Sequence, residues 1–227
     1  MEIKKALVVL SGGQDSVTTL GVALAEYDAV EAIMFDYGQR HSVELIQAQE
    51  ICRLHGVPFT SMKIPMLQEL GDSALIEGSE HTDVNKPHHA NKDLPASFVP
   101  NRNALFLTTA HAMAQKIGAQ DILTGVCQTD YSGYPDCREV FIKSLEKTLN
   151  VGYETDISIK TPLMNLTKAQ TFALAESCGF LDTVVALSHT CYLGDRTKMH
   201  EWGAGCGECA ACKLRKKGFE EFKEGIA

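Results

Sequence analysis

Residues 1–65 alternate between short apolar runs and stretches of helical periodicity, and this order constrains the fold more than any other feature of the chain. Three apolar runs indicate strands, at residues 6–10, 30–35 and 59–64. Between these runs, apolar side chains recur at helical spacing, over residues 17–24 and 43–54. The β-α-β-α-β order predicts an α/β fold with a doubly wound, mostly parallel sheet and right-handed crossovers.

The remaining chain continues the alternation of helices and strands and then becomes rich in cysteine. We expect helices over residues 102–116 and 139–149 and strands at residues 121–126 and 157–159. Thr167 and Gln170 form a capping box before a helix that ends at Gly179. Residues 78–97 show neither helical nor strand periodicity, and we interpret them as a mobile flap. The prediction is therefore one α/β domain over residues 1–187, with a cysteine-rich module packed on it over residues 188–227.

Composition excludes several classes of protein. The chain has 227 residues, 44% of them hydrophobic and 22% charged, as in ordinary globular proteins. No apolar run approaches the roughly 20 residues of a membrane-spanning helix. The N-terminal run is too short for a secretory signal, so we expect a cytoplasmic protein without a membrane partner. A net charge of −8 argues against a nucleic-acid partner and favours a small substrate.

A serine- and glycine-rich loop follows the first predicted strand, with the sequence Ser11-Gly12-Gly13-Gln14-Asp15-Ser16. In open α/β sheets, ligands bind at the carboxyl ends of strands, where a helix N-terminus offers free N–H groups to an anion. The glycines allow close approach to phosphate, and Ser11 and Ser16 supply hydroxyl groups. The loop matches neither a Walker A loop nor a dinucleotide motif. Because Asp15 alone would repel phosphate, we expect Mg²⁺ to bridge the two.

The eight cysteines fall into two groups. Four occur singly, and we interpret them as small buried hydrophobic residues: Cys52, Cys127, Cys137 and Cys178. Cys206, Cys209 and Cys212 form a double C-x-x-C, with Cys191 upstream. This spacing is typical of a structural zinc site closed by four ligands, and an iron–sulfur cluster is the alternative. His189 and His200 are other candidates for the fourth ligand.

Several other residues allow both a functional and an ordinary structural interpretation. Arg102 could clamp phosphate or carboxylate, or be a surface arginine. Three residues in the turn after the fourth predicted strand offer hydrogen-bond acceptors: Asp130, Ser132 and Asp136. They could bind a purine-like ring on which Tyr131 or Tyr134 stacks, or they could simply form the turn. Residues 36–40 end the second predicted strand, where adenine, ribose or substrate would lie. We expect the flap histidines, His81, His88 and His89, to be solvated, and residues 213–217 to form a solvated helix face with a possible role near phosphate.

Together with the Ser11–Ser16 loop, three further blocks carry a resemblance to a known family. They span residues 35–41, residues 98–103, and residues 124–126 with 130–138. The loop resembles that of the PP-loop ATP pyrophosphatase superfamily, which has an adenine-nucleotide-hydrolase-like fold. The blocks and the terminal cysteines are similar to the 7-cyano-7-deazaguanine synthase family of queuosine precursor biosynthesis, from about residue 6 to residue 219. That family usually has glycine where this chain has Asn101, a residue that tolerates positive φ.

The resemblance implies a ligase that converts 7-carboxy-7-deazaguanine, ATP and ammonium into 7-cyano-7-deazaguanine through an acyl adenylate and an amide. It implies a homodimer, catalytic roles for Ser11, Asp15 and Arg102, and Cys191 as the fourth ligand of one structural zinc. The predicted nucleotide-binding residues are Leu10, Ser11, Gly12, Gly13, Gln14, Asp15, Ser16, Val17, Thr18, Thr19 and Leu20. The predicted substrate residues are Asp130, Tyr131, Ser132, Asp136 and Arg138. The alternatives are a PP-loop enzyme that thiolates or otherwise modifies tRNA, and a zinc-stabilised ATP-binding module.

Overall fold

The computed structural model describes residues 3–40, 42–70, 73–80, 83–84, 86–129 and 134–226. Five parallel strands form the main sheet, in the order β3-β2-β1-β4-β5. These strands are β1 (Lys5–Val9), β2 (Ala29–Asp36), β3 (Phe59–Lys63), β4 (Asp121–Thr124) and β5 (Ser158–Lys160). The order reverses beside β1, which confirms the predicted doubly wound topology.

Eight α-helices and one 3₁₀ turn, Pro135–Cys137, lie in the described part of the chain. The helices are α1 (Gln14–Glu26), α2 (Val43–Leu54), α3 (Met66–Leu70), α4 (Arg102–Ile117), α5 (Glu139–Tyr153), α6 (Lys168–Ser177), α7 (Leu181–Leu187) and α8 (Ala210–Lys223). A two-stranded antiparallel hairpin, β6 (Met199–His200) and β7 (Gly203–Ala204), precedes α8. No described helix combines the length and the hydropathy needed to cross a membrane.

Alternate side chains of β1 supply two separate cores. Ala6 and Val8 pack on one face of the sheet in a cluster with residues of α1, α2, α6 and α7. Leu7 points to the opposite face, where it joins residues of α4, α5 and β5. Side chains alternate across a strand, so a strand that is apolar throughout needs helices on both faces. This explains why the first apolar run indicated the central strand.

Two local features differ in length from the expectation. β4 ends at Thr124 rather than at residue 126, since a Cβ atom at Gly125 would lie 2.8 Å from Asp15 C and Ser16 N. The strand therefore ends where the backbone at Gly125 contacts the start of α1. By contrast, α5 continues to Tyr153 and closes with Glu154 at φ 53°.

The predicted capping box of α6 is present, with Gln170 N–H donating to Thr167 Oγ1 at 3.2 Å.

Candidate nucleotide and metal sites

The Ser11–Ser16 loop joins the end of β1 to the start of α1, at the carboxyl edge of the sheet. Gly12 has φ +90°, and a Cβ atom there would lie 2.2 Å from the carbonyl oxygen of Glu44 in α2. Both the backbone conformation and the contact therefore require glycine. Gly13 is the N-cap of α1 and carries no side-chain cap, so the N–H groups of the first helical turn face the loop.

The two serines act largely within the loop. Ser16 Oγ accepts hydrogen bonds from the N–H groups of Ser11 and Gly12, both at 3.2 Å, and donates to Gly13 O at 3.0 Å. Ser11 Oγ lies 3.1 Å from Ser16 Oγ and is on the exposed side. A hydroxyl has only one proton to donate. Ser16 therefore holds the loop in shape, while Ser11 is the hydroxyl that faces solvent.

Asp15 is paired with a lysine from a distant helix. Lys168 Nζ, at the start of α6, lies 2.6 Å from Asp15 Oδ2, and the lysine side chain is 9% exposed. The other carboxylate oxygen, Oδ1, is buried without a hydrogen-bond partner in the described part of the chain. A buried carboxylate oxygen that accepts no hydrogen bond can serve as a ligand for a cation. Lys168 was not predicted as a site residue, because nothing in the local sequence connects it to the loop.

A cavity of about 320 Å³ extends from this loop along the sheet edge. At the other end an aromatic wall is formed by Phe35, Tyr37 and Phe106, in which the rings of Phe35 and Phe106 stack at 4.3 Å. Arg102 lies beside this wall, with Nη1 donating to Tyr37 Oη at 3.4 Å. One end of the cavity thus suits phosphate, and the other suits a flat ring that carries an acidic group.

The structure separates the predicted nucleotide residues into two sets. The cavity is lined by Leu10, Ser11, Gly13, Gln14, Asp15 and Ser16. Val17, Thr18, Thr19 and Leu20 are completely buried in α1 and do not line it. Gln14 is 2% exposed, and neither polar atom of its carboxamide has a hydrogen-bond partner among the described residues.

Of the predicted substrate residues, Asp130, Tyr131 and Ser132 lie outside the described residues. Asp136 is 6% exposed and accepts a hydrogen bond from Asn103 N–H at 3.1 Å, so it caps the start of α4. Burial raises its pKa, against the opposing charge of Arg102. Arg138 is exposed, and neither Asp136 nor Arg138 lines the cavity.

The turn instead contributes Tyr134 and Cys137 to the cavity. Tyr134 Oη lies 2.6 Å from Ser97 Oγ, which joins this turn to the end of the flap. Within residues 36–40, Tyr37, Gln39 and Arg40 line the cavity, as expected for the end of the second strand.

Glu44, in the first turn of α2, is a cavity residue that the sequence analysis did not single out. Burial raises the pKa of its carboxyl to about 7, and the positive charge of Arg102 opposes the increase. A sequence signal existed: the residue is an acid in the first turn of a helix whose N-terminus lies at the ligand-binding edge of the sheet. The same position also suits an ordinary helix-stabilising acid.

The four predicted cysteine ligands come together in the C-terminal module. The Sγ atoms of Cys191, Cys206, Cys209 and Cys212 all lie within 4.8 Å of one another, and all four residues are buried. The Cys206 and Cys212 sulfurs are 3.8 Å apart, close to the edge of a tetrahedron with Zn–S bonds of about 2.3 Å. The N–H groups of Glu208 and Cys209 donate to Cys206 Sγ, each at 3.3 Å. The donor set therefore fits a single thiolate-bound metal ion.

Neither candidate histidine joins this cluster. His189 lines the nucleotide cavity, and its backbone N–H donates to Gly12 O at 2.8 Å. His200 Nε2 lies 3.0 Å from Gly205 O, and the ring stacks on Trp202 at 4.4 Å. The chain between Cys191 and Cys206 forms the β6–β7 hairpin.

Two interpretations of solvated residues were wrong in part. His88 is buried, with its ring 4.7 Å from that of His89 and 6.4 Å from that of Phe98. His89 is exposed, and His81 lies outside the described residues. In the 213–217 segment the lysines are exposed as expected, but Arg215 is completely buried. Arg215 fits the interior because backbone carbonyl groups satisfy its guanidinium. His88 Nδ1 accepts a local hydrogen bond from Ala90 N–H at 3.3 Å, and its Nε2 is buried without a hydrogen-bond partner among the described residues.

Arg215, in α8, joins the β6–β7 hairpin to α7. Its Nε donates to Trp202 O at 2.8 Å, and its Nη2 donates to Val184 O at 2.9 Å. Its Nη1 donates to Thr190 Oγ1 at 3.0 Å. Further along α8, a Cβ atom at Gly218 would lie 2.3 Å from Cβ of Lys168. The helix that begins at the cysteine cluster therefore packs directly on the lysine that holds Asp15.

Comparison with known proteins agrees with this geometry. The profile of a family described as "Queuosine biosynthesis protein QueC" matches residues 5–223. A protein from Wolinella succinogenes named 7-cyano-7-deazaguanine synthase is 53% identical over 221 residues, covering 97% of this chain and 94% of that protein. A protein of the same name from Helicobacter pylori is 51% identical over 223 residues, covering 98% of each.

A solved structure also shares the fold. It is described as a 4-thiouridine synthetase in complex with RNA and bound ATP, and it is 16% identical with a TM-score of 0.50. The match covers 97% of this chain and 51% of that chain.

Proposed function

Because this chain belongs to the QueC family of queuosine biosynthesis proteins, we propose that it is an ATP-dependent 7-cyano-7-deazaguanine synthase. The proposed reaction converts 7-carboxy-7-deazaguanine and ammonia into 7-cyano-7-deazaguanine, which makes the enzyme a ligase that forms carbon–nitrogen bonds. The observation that carries the proposal is a single cavity that joins the Ser11–Ser16 loop to Arg102 and the aromatic wall.

The chemistry requires an activated acid, because hydroxide is a very poor leaving group. In the proposed first step, a carboxylate oxygen of the substrate attacks the α-phosphorus of ATP and displaces pyrophosphate. Ammonia then displaces AMP from the acyl adenylate and gives the primary amide. Adenylation of the amide oxygen by a second ATP turns that oxygen into a leaving group, and loss of AMP gives the nitrile. The protein supplies positioning and charge neutralisation.

We assign the loop end of the cavity to the pyrophosphate. The N–H groups at the start of α1 and the Ser11 hydroxyl offer donors, and Lys168 offers a positive charge. Asp15 Oδ1 would also fit a Mg²⁺ ion, since Mg²⁺ is commonly held by one or two carboxylates together with substrate phosphates. When bound, Mg²⁺ neutralises the charge that develops on the departing pyrophosphate.

We assign the other end to the deazapurine and its carboxylate. Among the described residues, no carboxylate forms an ion pair with Arg102, so its guanidinium can take a substrate anion. The stacked rings of Phe35 and Phe106 offer an apolar face at the same place. Arg102 therefore acts as the carboxylate clamp in this proposal, rather than as a phosphate ligand.

The metal of the cysteine cluster is proposed to be zinc with a structural role. Four buried thiolates close the coordination sphere and leave no position for a reacting water. The bound ion would hold the start of α8 against residues 189–191, and both segments contact the nucleotide site.

Mass detection tests the function directly. Purified protein with ATP, Mg²⁺, ammonium and 7-carboxy-7-deazaguanine should yield the nitrile and pyrophosphate, and omission of ATP or of the acid should abolish both products. Pyrophosphate release that does not require the acid would contradict the proposal. ATP binding without any release of pyrophosphate would favour the non-enzymatic alternative.

The alternative as a tRNA-modifying PP-loop enzyme has less support. A net charge of −8 disfavours a surface that binds the phosphate backbone of a nucleic acid. The likeness to the 4-thiouridine synthetase concerns the fold alone. Salt-dependent tRNA binding would favour this alternative. We also propose a cytoplasmic homodimer, supported by the sequence resemblance, which sedimentation and cell fractionation would test.

A further inference from the structure

Glu44 combines three properties that the proposed assignments do not use. It lines the nucleotide cavity together with Arg102 and the aromatic wall. It sits at the start of α2, whose backbone is fixed against Gly12 of the loop. Unlike Asp15, its carboxylate receives no hydrogen bond and forms no ion pair within the described part of the chain. It is therefore a carboxylate that is held in place and remains free to react.

The amide-forming step needs a proton acceptor at this location. When ammonia attacks the acyl adenylate, its lone pair forms the C–N bond, and the nitrogen becomes positively charged. Collapse of the adduct breaks the bond to the AMP oxygen and expels AMP as an anion. For the amide to form, the nitrogen must give up one proton, and a positioned base accelerates such a step about 10²–10⁴-fold.

We propose that Glu44 is the catalytic base that accepts this proton from the attacking nitrogen. The inference rests on the proposed function, since it deepens the role of the same cavity. Arg102 would hold the carboxylate carbon beside Glu44, so that the base lies next to the bond that forms. In the described part of the chain, Asp15 is the other carboxylate that lines the cavity, and Lys168 already holds it.

The electrostatic setting supports this role. Burial raises the pKa of the Glu44 carboxyl to about 7, against the field of Arg102, and a base is most effective when its pKa is near the working pH. Tyr37 also interacts electrostatically with Glu44. The other titratable or charged side chains that line the cavity are Asp15, Arg40, Cys127, Cys137, Tyr134, Lys168, His189, Cys191, Tyr192 and Arg215.

Replacement of the nucleophile separates this role from adenylation. Hydroxylamine also attacks acyl adenylates and gives a hydroxamate, but it is a far weaker base than ammonia and loses its proton readily to water. We expect Glu44→Gln to lower ammonia-dependent amide formation about 100-fold or more, and to leave hydroxamate formation within about threefold of wild type. The matched control is Glu50→Gln, which lies exposed on the same helix and should change neither rate.

Other results would overturn the inference. Equal loss of amide and hydroxamate in folded Glu44→Gln would place the residue in adenylation or binding, and full retention of both would make it dispensable. A second measurement guards against a folding defect: the wild-type rate per free ammonia should fall below about pH 7, whereas the hydroxamate rate should not. Wild-type enzyme that forms neither product would refute the proposed function itself.

Discussion

Lys168 Nζ and Asp15 Oδ2 lie 2.6 Å apart, although 153 positions separate the two residues in the chain. The pair joins the start of α6 to the start of α1, at the point where both helices meet the carboxyl edge of the sheet. It places a positive charge beside a loop that lacks a lysine of its own. The candidate site is therefore assembled from helices that lie far apart in the sequence.

Removal of this lysine should impair both activity and stability. In Lys168→Met, the Asp15 carboxylate stays partly buried without its partner, and we expect a loss of about 1–3 kcal/mol in the free energy of unfolding. ATP-dependent turnover should fall about 100-fold or more, because a charge that stabilises the departing pyrophosphate is lost. Denaturant unfolding and pyrophosphate release measure the two effects. Lys213→Met, on the exposed face of α8, is the control, and equal damage in both variants would contradict the assignment.

Gly12 offers a test of the loop geometry. A methyl group in Gly12→Ala would meet the Glu44 carbonyl at 2.2 Å in a backbone with φ +90°, so the loop and α2 must move apart. We expect loss of ATP binding by calorimetry and a destabilisation of about 2–4 kcal/mol. In Gly152→Ala, by contrast, the added Cβ meets no atom within 4 Å inside α5. That variant should be more stable by about 0.5–1 kcal/mol. Unchanged ATP affinity in Gly12→Ala would show that the loop tolerates the contact between the added methyl group and the Glu44 carbonyl, and it would contradict the prediction.

The pKa of Glu44 can be measured through stability. Its folded value, about 7, lies above the usual 4.5, so the folded state binds more protons than the unfolded state between these pH values. Stability should therefore decrease as the pH rises from about 4.5 to 7 and change little above that range through this group. Relative to wild type, Glu44→Gln should gain about 1–3 kcal/mol across that window. A difference that does not depend on pH would show that the carboxyl has an ordinary pKa.

Metal analysis tests the cysteine cluster. We expect about one zinc ion per chain, and Cys209→Ser should lose it and unfold at a lower temperature, since binding of a structural metal is coupled to folding. Cys178→Ser, outside the cluster, should keep the metal. A brown preparation with iron–sulfur absorbance would instead identify the alternative cofactor.

The position of Arg215 predicts a large stability effect without a direct chemical role. Arg215→Met removes the Nε donor from the carbonyl group of Trp202 in a buried site, and it removes one donor from the carbonyl group of Val184, which keeps the Ser188 hydroxyl. We expect a loss of about 3–5 kcal/mol in the free energy of unfolding. Lys216→Met, one position along α8 and exposed, should lie within about 0.5 kcal/mol of wild type. A small effect in Arg215→Met would mean that water replaces the guanidinium.

Local chemistry explains what the sequence could predict. An apolar run, a glycine turn and a helical repeat lie next to one another in β1, the loop and α1, so their pattern predicted the strand and the helix and suggested a phosphate site between them. The capping box of Thr167 and Gln170 is equally local. The C-x-x-C spacing brings Cys206, Cys209 and Cys212 together for the same reason.

Residues that act through distant contacts were missed. Lys168 contacts Asp15 from 153 positions away, so no neighbour in sequence reveals the pair. Glu44 lies in the first turn of α2, where an ordinary helix-stabilising acid is equally expected. Arg215 occupies the buried face of α8 with Ala211 and Gly218, and its surroundings in sequence are exposed lysines. Burial of its guanidinium follows from carbonyl groups contributed by α7 and the hairpin region, which no pattern in α8 specifies.

The contact between Gly218 and Lys168 bears on how the protein matures during synthesis. Chains emerge from the ribosome N-terminus first, so the Ser11–Ser16 loop is made long before the helix that supports its lysine. A nascent chain halted before α8 would have a formed strand and loop, but Lys168 without the surface on which it rests. The surface that supports Lys168 is therefore completed only after residues 210–223 have been synthesised, later than every strand of the main sheet.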